Sequence, residues 1–309
     1  MIRVYKIVAL LVFPSIFISC NKSDSGSYDL RDRQTVYDED ILEIEEYLQT
    51  HYMTVDANMN AVIDTILPTT TEASIWSQTA YPLQSITVKN DTRDTYLTDG
   101  LKDDDVDYKL YYIVLNDGGG NFPTNVDSTF VAYRGWNMEN EMFDQNVNGS
   151  WFSHPDTNGA ISGFRQILSK VKTASSFSEN SNGSITYFNY GNVVVFIPSG
   201  LAYFNGSNTN IGTYSPIAFQ INLFSLKERD HDKDRILSKY EDLNNNGDYF
   251  DDDTDGDKLP DFLDFDDDGD GRITKKEIEI STGNYYEFAN IPLCPGGNGK
   301  KKHLDPFCQ

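Results

Sequence analysis

The chain has 309 residues, of which 39% are hydrophobic and 13% aromatic, a composition typical of a globular protein. Its formal net charge of −23 argues against nucleic acid as a partner, because phosphates require a basic surface. The charge is concentrated, since residues 228–279 carry 20 acidic against 8 basic side chains. Acid at this density must be solvated or neutralised by metal ions.

The first twenty residues have the features of an export signal. Arg3 and Lys6 precede an apolar run at residues 7–18, which is too short to span a bilayer and suits a signal-peptide core. The run ends at Ser19-Cys20 and resembles a bacterial lipobox, which implies lipidation of Cys20. An ordinary signal peptide with a chance cysteine is the alternative. We expect a signal peptide at 1–20, a polar tether at 21–37 and a lipid-anchored protein of the cell envelope, on the outer membrane and facing either the periplasm or the surface.

Residues 38–105 are predicted as an N-terminal segment of helix and strand. Residues 38–53 place apolar side chains on one helical face, with Asp38 as the N-cap. Residues 55–67 alternate as a strand does. The segment either packs on the domain that follows it or mediates dimers and client binding.

The middle of the chain predicts an α+β fold, in which an antiparallel sheet wraps around a short helix. The helix is expected at residues 163–172, and the segment 175–189 as a hairpin that extends the sheet, with its turn at Asn182-Gly183. Turns rich in glycine, asparagine and aspartate separate the β-type runs. These runs are residues 111–115, 128–133, 185–188, 193–198 and 217–226.

Four segments of the middle region stand out: FVAYRGWNMENEMFDQN from Phe130, AISGF from Ala160, IPSGLAYFN from Ile197 and IGTYSPIAFQINLFSL from Ile211. In this order they resemble the landmarks of the FKBP-type peptidyl-prolyl cis-trans isomerases, across residues 106–228. The resemblance implies an FKBP-like sheet and a catalytic pocket built from eight residues. These are Tyr133, Phe143, Asp144, Ile161, Phe164, Tyr203, Ile211 and Phe219.

The resemblance also implies roles for three of these residues. Phe164 would be the floor of the pocket in place of the family's tryptophan, Tyr203 would donate to the bound peptide and Asp144 would orient it. Phe204 stands where the family usually has glycine, and it would narrow the pocket or form a lid. Such a site needs no cofactor for catalysis, because the reaction is rotation about an X-Pro bond, with a barrier of about 18–20 kcal/mol.

The resemblance implies proline-containing peptides or unfolded exported proteins as partners. Two other interpretations fit the sequence. One is a non-catalytic peptide-binding or chaperone module, and the other is a calcium-dependent surface protein with a relict isomerase fold.

Residues 229–280 form a loop-rich extension with the spacing of calcium-binding loops. From Asp266, oxygen ligands fall at positions 1, 3, 5, 7, 9 and 12 of a loop with glycine at position 6. Related loops lack this glycine at Arg235 and Lys258. The tandem arrangement resembles thrombospondin type 3 repeats, which implies structural Ca²⁺. The candidate ligands are Asp230, Asp232, Asp234, Ser238, Glu241, Asp242, Asn244, Asn246, Asp248, Asp253, Asp255, Asp257, Asp261, Asp264, Asp266, Asp268, Asp270, Arg272 through its carbonyl, Thr274 and Glu277.

Residues 281–309 form a tail with two cysteines. Exported proteins commonly pair such cysteines, so we expect a Cys294–Cys308 disulfide. Two free thiols are the alternative.

Overall fold

The computed structural model describes residues 30–155, 159–297 and 299–308. The predicted signal peptide, with Cys20, and most of the predicted tether lie outside the described residues. The chain divides into two units, residues 1–31 and 32–309, and every element below belongs to the second. Within the described residues, no helix has both the length and the apolar character to cross a bilayer.

The second unit contains three α-helices and twelve strands among its described residues. The helices are α1 (Arg33–Thr50), α2 (Ser162–Ile167) and α3 (Thr274–Glu277). The strands are β1 (His51–Val55), β2 (Ala61–Thr65), β3 (Gln84–Val88), β4 (Tyr108–Asp117), β5 (Ser128–Asn137), β6 (Met142–Phe152), β7 (Ser176–Glu179), β8 (Ile185–Phe188), β9 (Gly191–Ile197), β10 (Ile217–Lys227), β11 (Glu279–Ser281) and β12 (Asn284–Tyr285).

A six-stranded antiparallel sheet forms the centre of the fold, in the order β3–β4–β9–β10–β5–β6. Its central strand β9 is buried at every position. Successive side chains of a strand point to opposite faces, so Val195 packs with the cluster under α2 while Phe196 packs with the cluster under α1. The predicted mixed fold of antiparallel sheet and few helices is confirmed.

Helix α1 begins earlier than the sequence predicted. Its N-cap is Asp32, whose carboxylate accepts the backbone N–H of Thr35 at 2.8 Å, so the predicted cap at Asp38 and the tether boundary at residue 37 are wrong. The helix buries Ile44 and Leu48 against the sheet. The segment therefore packs on the domain that follows it, and the strand-like residues after it form the β1–β2 hairpin.

Two strands of the sheet were not predicted. Strand β3 pairs with β4 and extends the sheet to residues before 106, the expected start of the domain. Strand β6 follows β5 as a hairpin, although its sequence MFDQNVNGSWF is rich in residues that are rare in strands. Cross-strand packing outweighs these local preferences.

The segment 175–189 forms the predicted hairpin, β7–β8, with Gly183 at a φ of +80° in its turn. Its strands pair with each other and form a separate two-stranded sheet, so the expectation that it extends the main sheet is wrong. Phe177 is 67% exposed on this hairpin.

The acidic region packs on the sheet domain and on the tail. Phe250 and Phe262 form a buried apolar cluster with Val126, which precedes β5. A second cluster joins Ile236 and Ile278 of the acidic region to Ile291 of the tail. These contacts connect the acidic residues to both of their neighbours in the chain.

Candidate functional site

Five rings from four elements meet on the α2 face of the sheet, and we call them the aromatic cluster: Tyr133, Phe143, Phe152, Phe164 and Phe219. Phe164 and Phe219 lie at its base, with ring centroids 5.2 Å apart and planes nearly perpendicular. Phe143 meets Phe219 edge-on at 5.4 Å, and Tyr133 meets Phe164 edge-on at 5.6 Å. Edge-to-face pairs of this kind are favourable for aromatic side chains.

Two glycines permit this close packing. A Cβ atom at Gly135 would lie 2.6 Å from the rings of both Phe143 and Phe219, so only glycine lets them meet over β5. A Cβ atom at Gly163 would lie 2.5 Å from Ile197, so glycine lets α2 approach β9. This approach seats Phe164 against the sheet.

Two polar side chains, Asp144 and Tyr203, accompany the aromatic cluster. The Tyr133 hydroxyl donates to the Asp144 carboxylate at 2.9 Å. Tyr203 is 39% exposed, and burial of the rest of its side chain, followed by the charge of Asp144, raises the pKa of its hydroxyl. Tyr203 is therefore protonated at neutral pH and is available as a hydrogen-bond donor.

Phe204 does not enter the aromatic cluster. Its φ of +48° is a conformation that favours glycine, the residue expected from the resemblance. The ring lies 4.2 Å below the guanidinium of Arg33 and meets Tyr214 edge-on at 5.0 Å. These contacts hold the strained residue.

The remaining predicted pocket residues flank the cluster. Ile161 is the N-cap of α2, and Ile211 is buried in the same apolar core as Phe219. A cavity of about 140 Å³ is lined in part by Ile161 and Ala202. Contacts thus join five of the eight predicted residues, which are Tyr133, Phe143, Asp144, Phe164 and Phe219, while Ile161 and Ile211 lie in the same apolar core. The structure adds Phe152, which packs against Phe164 at 5.8 Å. Phe152 was missed because β6 was not recognised as a strand.

Four acidic loops share one backbone conformation: the first (230–241), second (242–248), third (253–264) and fourth (266–277). At position 6, Arg235, Gly247, Lys258 and Gly271 all have φ between +81° and +90°. In each loop the N–H at position 7 donates to the side-chain oxygen at position 5, at 2.6 to 2.7 Å. The loops that lack glycine therefore adopt the same turn as those that have it.

The side chains at position 9 form hydrogen bonds within their own loops. Ser238, Asp261 and Thr274 each accept the backbone N–H of position 2 with a side-chain oxygen. In the second loop, the Asp248 carboxylate pairs with the buried Arg93 at 3.1 Å. These predicted ligands have structural partners within the protein.

Several carboxylates of the loops are buried without partners. Both carboxylate oxygens of Glu241, Asp267 and Glu277 lack a hydrogen bond, and these side chains are almost fully buried. Burial and the charges of Asp268 and Asp270 raise the pKa of Glu277 to about 8. Carboxylate oxygens are the ligands that Ca²⁺ prefers, and these oxygens have no hydrogen-bond partner in the described part of the chain. The loops could therefore hold divalent cations.

Three groups of acidic side chains bring their oxygens within 4.8 Å of one another. They are Asp253, Asp255 and Asp257; Asp266, Asp268 and Asp270; and Asp232, Asp234, Glu241 and Asp267. Asp267 is the member that the sequence did not predict, because it occupies position 2 of its own loop, where no ligand is expected.

His231 connects the first acidic loop to the segment before α2. Its Nδ1 pairs with the Ser238 hydroxyl at 2.8 Å, and its Nε2–H donates to the carbonyl of His154 at 3.0 Å. Burial, then the charge of Arg229, lowers the pKa of the imidazole, which keeps it neutral in this arrangement.

The two cysteines of the tail are free thiols, so the expected disulfide is not formed in this structure. Interaction with the Cys308 side chain, followed by burial, raises the pKa of the Cys294 thiol. The backbone N–H of Cys308 donates to the Asp305 carbonyl at 2.9 Å.

Comparison with family models matches residues 231–301 to a family described as BamM C-terminal, and not to a calcium-binding repeat. The match begins at the second position of the first acidic loop and spans the rest of the four loops and most of the tail. A search of curated proteins found no match.

Comparison with solved structures finds peptidyl-prolyl isomerases among the similar chains. FkpA from Escherichia coli is 24% identical with a TM-score of 0.30, over 38% of this chain and 48% of that one. An isomerase from Pseudomonas syringae is 23% identical with a TM-score of 0.31, over 43% of this chain and 80% of that one. A multi-domain immunophilin from Arabidopsis thaliana is 15% identical with a TM-score of 0.32, over 41% and 45%. This chain thus spans about half of the E. coli protein.

Proposed function

We propose that the protein is an FKBP-type peptidyl-prolyl cis-trans isomerase that assists the folding of exported proteins. The observation that carries this proposal is the aromatic cluster, whose rings from separate parts of the chain meet beneath the Tyr133–Asp144 hydrogen bond. In this proposal the apolar base receives a proline ring, and the partly exposed Tyr203 receives a peptide carbonyl.

Catalysis in such a cleft depends on stabilising the twisted X-Pro amide more than the planar one. Water hydrogen bonds favour the planar, charge-separated amide, and an apolar base of Phe164 and Phe219 removes them. A hydrogen bond from the Tyr203 hydroxyl holds the substrate backbone while the bond rotates. Asp144 fixes Tyr133 at the wall of the cleft.

The test is a cis-trans assay on a proline-containing tetrapeptide. Tyr203→Phe removes the hydroxyl that would donate to the substrate, and Asp144→Ala removes the acceptor that holds the Tyr133 hydroxyl. We expect each to lower kcat/KM by about tenfold, the effect of losing one hydrogen bond. Phe177→Ala, on the exposed β7–β8 hairpin, is the control and should leave the rate unchanged. A wild-type protein that folds and gives no rate enhancement would refute the proposal.

A second candidate function is the holding of unfolded clients, and the β7–β8 hairpin favours it. Phe177, Ile185 and Phe188 are exposed on this small sheet, and exposed apolar residues of this kind suit transient contact with unfolded chains. If Phe177→Ser abolishes suppression of client aggregation but keeps isomerisation, the two functions occupy separate surfaces. Unchanged suppression would exclude the hairpin as a holding site.

Structural Ca²⁺ in the acidic loops and a lipid anchor at Cys20 complete the proposal. The unpartnered buried carboxylates support the first. Mass spectrometry of the mature chain tests the second, since an unmodified Cys20 would exclude lipid anchoring. The same measurement on the purified protein counts free thiols at Cys294 and Cys308.

A further inference from the structure

The first and fourth acidic loops bring four carboxylates to one point. Oxygens of Asp232, Asp234 and Glu241 lie within 4.8 Å of one another and of an oxygen of Asp267. Three of the four residues are at most 3% exposed. We call this group the composite cluster.

No group in the described part of the chain neutralises the composite cluster. None of its members forms an ion pair there, and both oxygens of Glu241 and of Asp267 lack hydrogen bonds. Isolated buried charges of one sign are strongly unfavourable, so such an arrangement requires protonation or a cation.

The loop pattern alone does not account for Asp267. Its backbone N–H donates to Thr274 and so closes the fourth loop, while its carboxylate lies with the ligands of the first. In the first loop, the Ser238 hydroxyl at position 9 is engaged by the backbone and imidazole of His231. The carboxylate of Asp267 thus supplies an oxygen that the first loop does not obtain from Ser238.

We propose that Asp267 is a ligand to a divalent cation held by the first loop, together with Asp232, Asp234 and Glu241, so that one ion joins the first and fourth acidic loops. This inference rests on the proposed binding of Ca²⁺ by the extension. The all-oxygen, carboxylate-rich set favours Ca²⁺ over the softer transition metals.

The test is calorimetric titration of the metal-free full chain with Ca²⁺. Asp267→Asn keeps the shape of the side chain and removes its charge, and we expect at least about tenfold weaker binding at one site with the other sites unchanged. Glu287→Gln removes one exposed charge and serves as the matched control. Equal stoichiometry and affinities in wild type and Asp267→Asn would overturn the inference.

Thermal melting separates this role from simple misfolding. Asp267→Asn relieves repulsion in the metal-free cluster, so we expect a higher Tm than wild type in chelator and a lower Tm in Ca²⁺. A variant that melts lower in both conditions would contradict the ligand role. If wild-type protein binds no Ca²⁺, the proposed role of the extension fails as well, whereas binding that is indifferent to Asp267 refutes only the shared site.

Discussion

Strand β9 buries mainly apolar side chains, whereas the first acidic loop also buries carboxylates. β9 places Val193, Val195 and Phe196 between two helices, with no charged residue in the strand. The first loop buries Asp234 and Glu241 with unpartnered oxygens. Removal of apolar area from water stabilises the sheet under all ordinary conditions, whereas the loops depend on what neutralises their charge.

Chelation of Ca²⁺ should show the largest difference between the acidic loops and strand β9. We expect amide exchange across residues 230–277 to accelerate by about 100-fold or more, the protection conferred by a ligand at 100 times its Kd. Exchange in β9 and β10 should be unchanged. Hydrogen exchange with mass spectrometry, with and without chelator, measures both regions at once, and a uniform response would contradict the distinction.

Truncation of the aromatic cluster should act on the sheet alone. Phe219→Ala is expected to lower the free energy of unfolding by about 3–5 kcal/mol, because it leaves a cavity at the base of the cleft. Denaturant titrations should give the same loss in Ca²⁺ and in chelator. Phe177→Ala, at an exposed site, should cost less than about 0.5 kcal/mol. A loss at Phe219 that depends on Ca²⁺ would show that the regions are coupled.

The stability of the acidic region should depend on pH in opposite directions with and without Ca²⁺. Burial raises the pKa of Asp252, Asp261 and Asp268 to about 6, above the value of an unfolded carboxyl. The metal-free fold therefore binds protons more tightly than the unfolded chain, and its stability falls as pH rises from about 4 to 7. Ca²⁺ requires ionised ligands, so in its presence stability should rise over this interval. Melting curves across this range test the reversal, which parallel curves would exclude.

The smallest expected effect concerns the backbone of the third loop. Lys258 has a φ of +81°, and its ammonium forms an exposed ion pair with Asp99 at 2.6 Å. Lys258→Gly and Lys258→Ala both remove this pair, but only glycine relieves the strained backbone. We expect the glycine variant to be more stable than the alanine variant by about 0.5–1 kcal/mol. Thermal melts in Ca²⁺ make the comparison, and equal stabilities would mean that the turn carries no strain.

The buried strands and α2 could be predicted because their apolar periodicity is uninterrupted, as in β9. β6 could not, because its asparagines and glycine suggest a loop while its pairing with β5 supplies the stability. The start of α1 was missed because Asp32 and Asp38 are both plausible caps. In the site, motif order predicted Tyr133, Asp144 and Phe219, and the structure places the last two in contact with Tyr133. The sequence did not predict that Asp267 lies with the carboxylates of the first loop, because this depends on how separate loops stack and not on local spacing.

The contacts of the His231 imidazole limit where the chain can be truncated without loosening the sheet domain. It holds the His154 carbonyl at 3.0 Å, and the neighbouring Arg229 donates to Ser153 at 3.1 Å, so residues beyond β10 secure the connection that leads into α2. A chain cut after Glu228, at the domain boundary that the sequence suggests, would lose both tethers. Recombinant fragments made for drug or peptide screening should therefore retain the acidic loops, even where only the cleft is of interest.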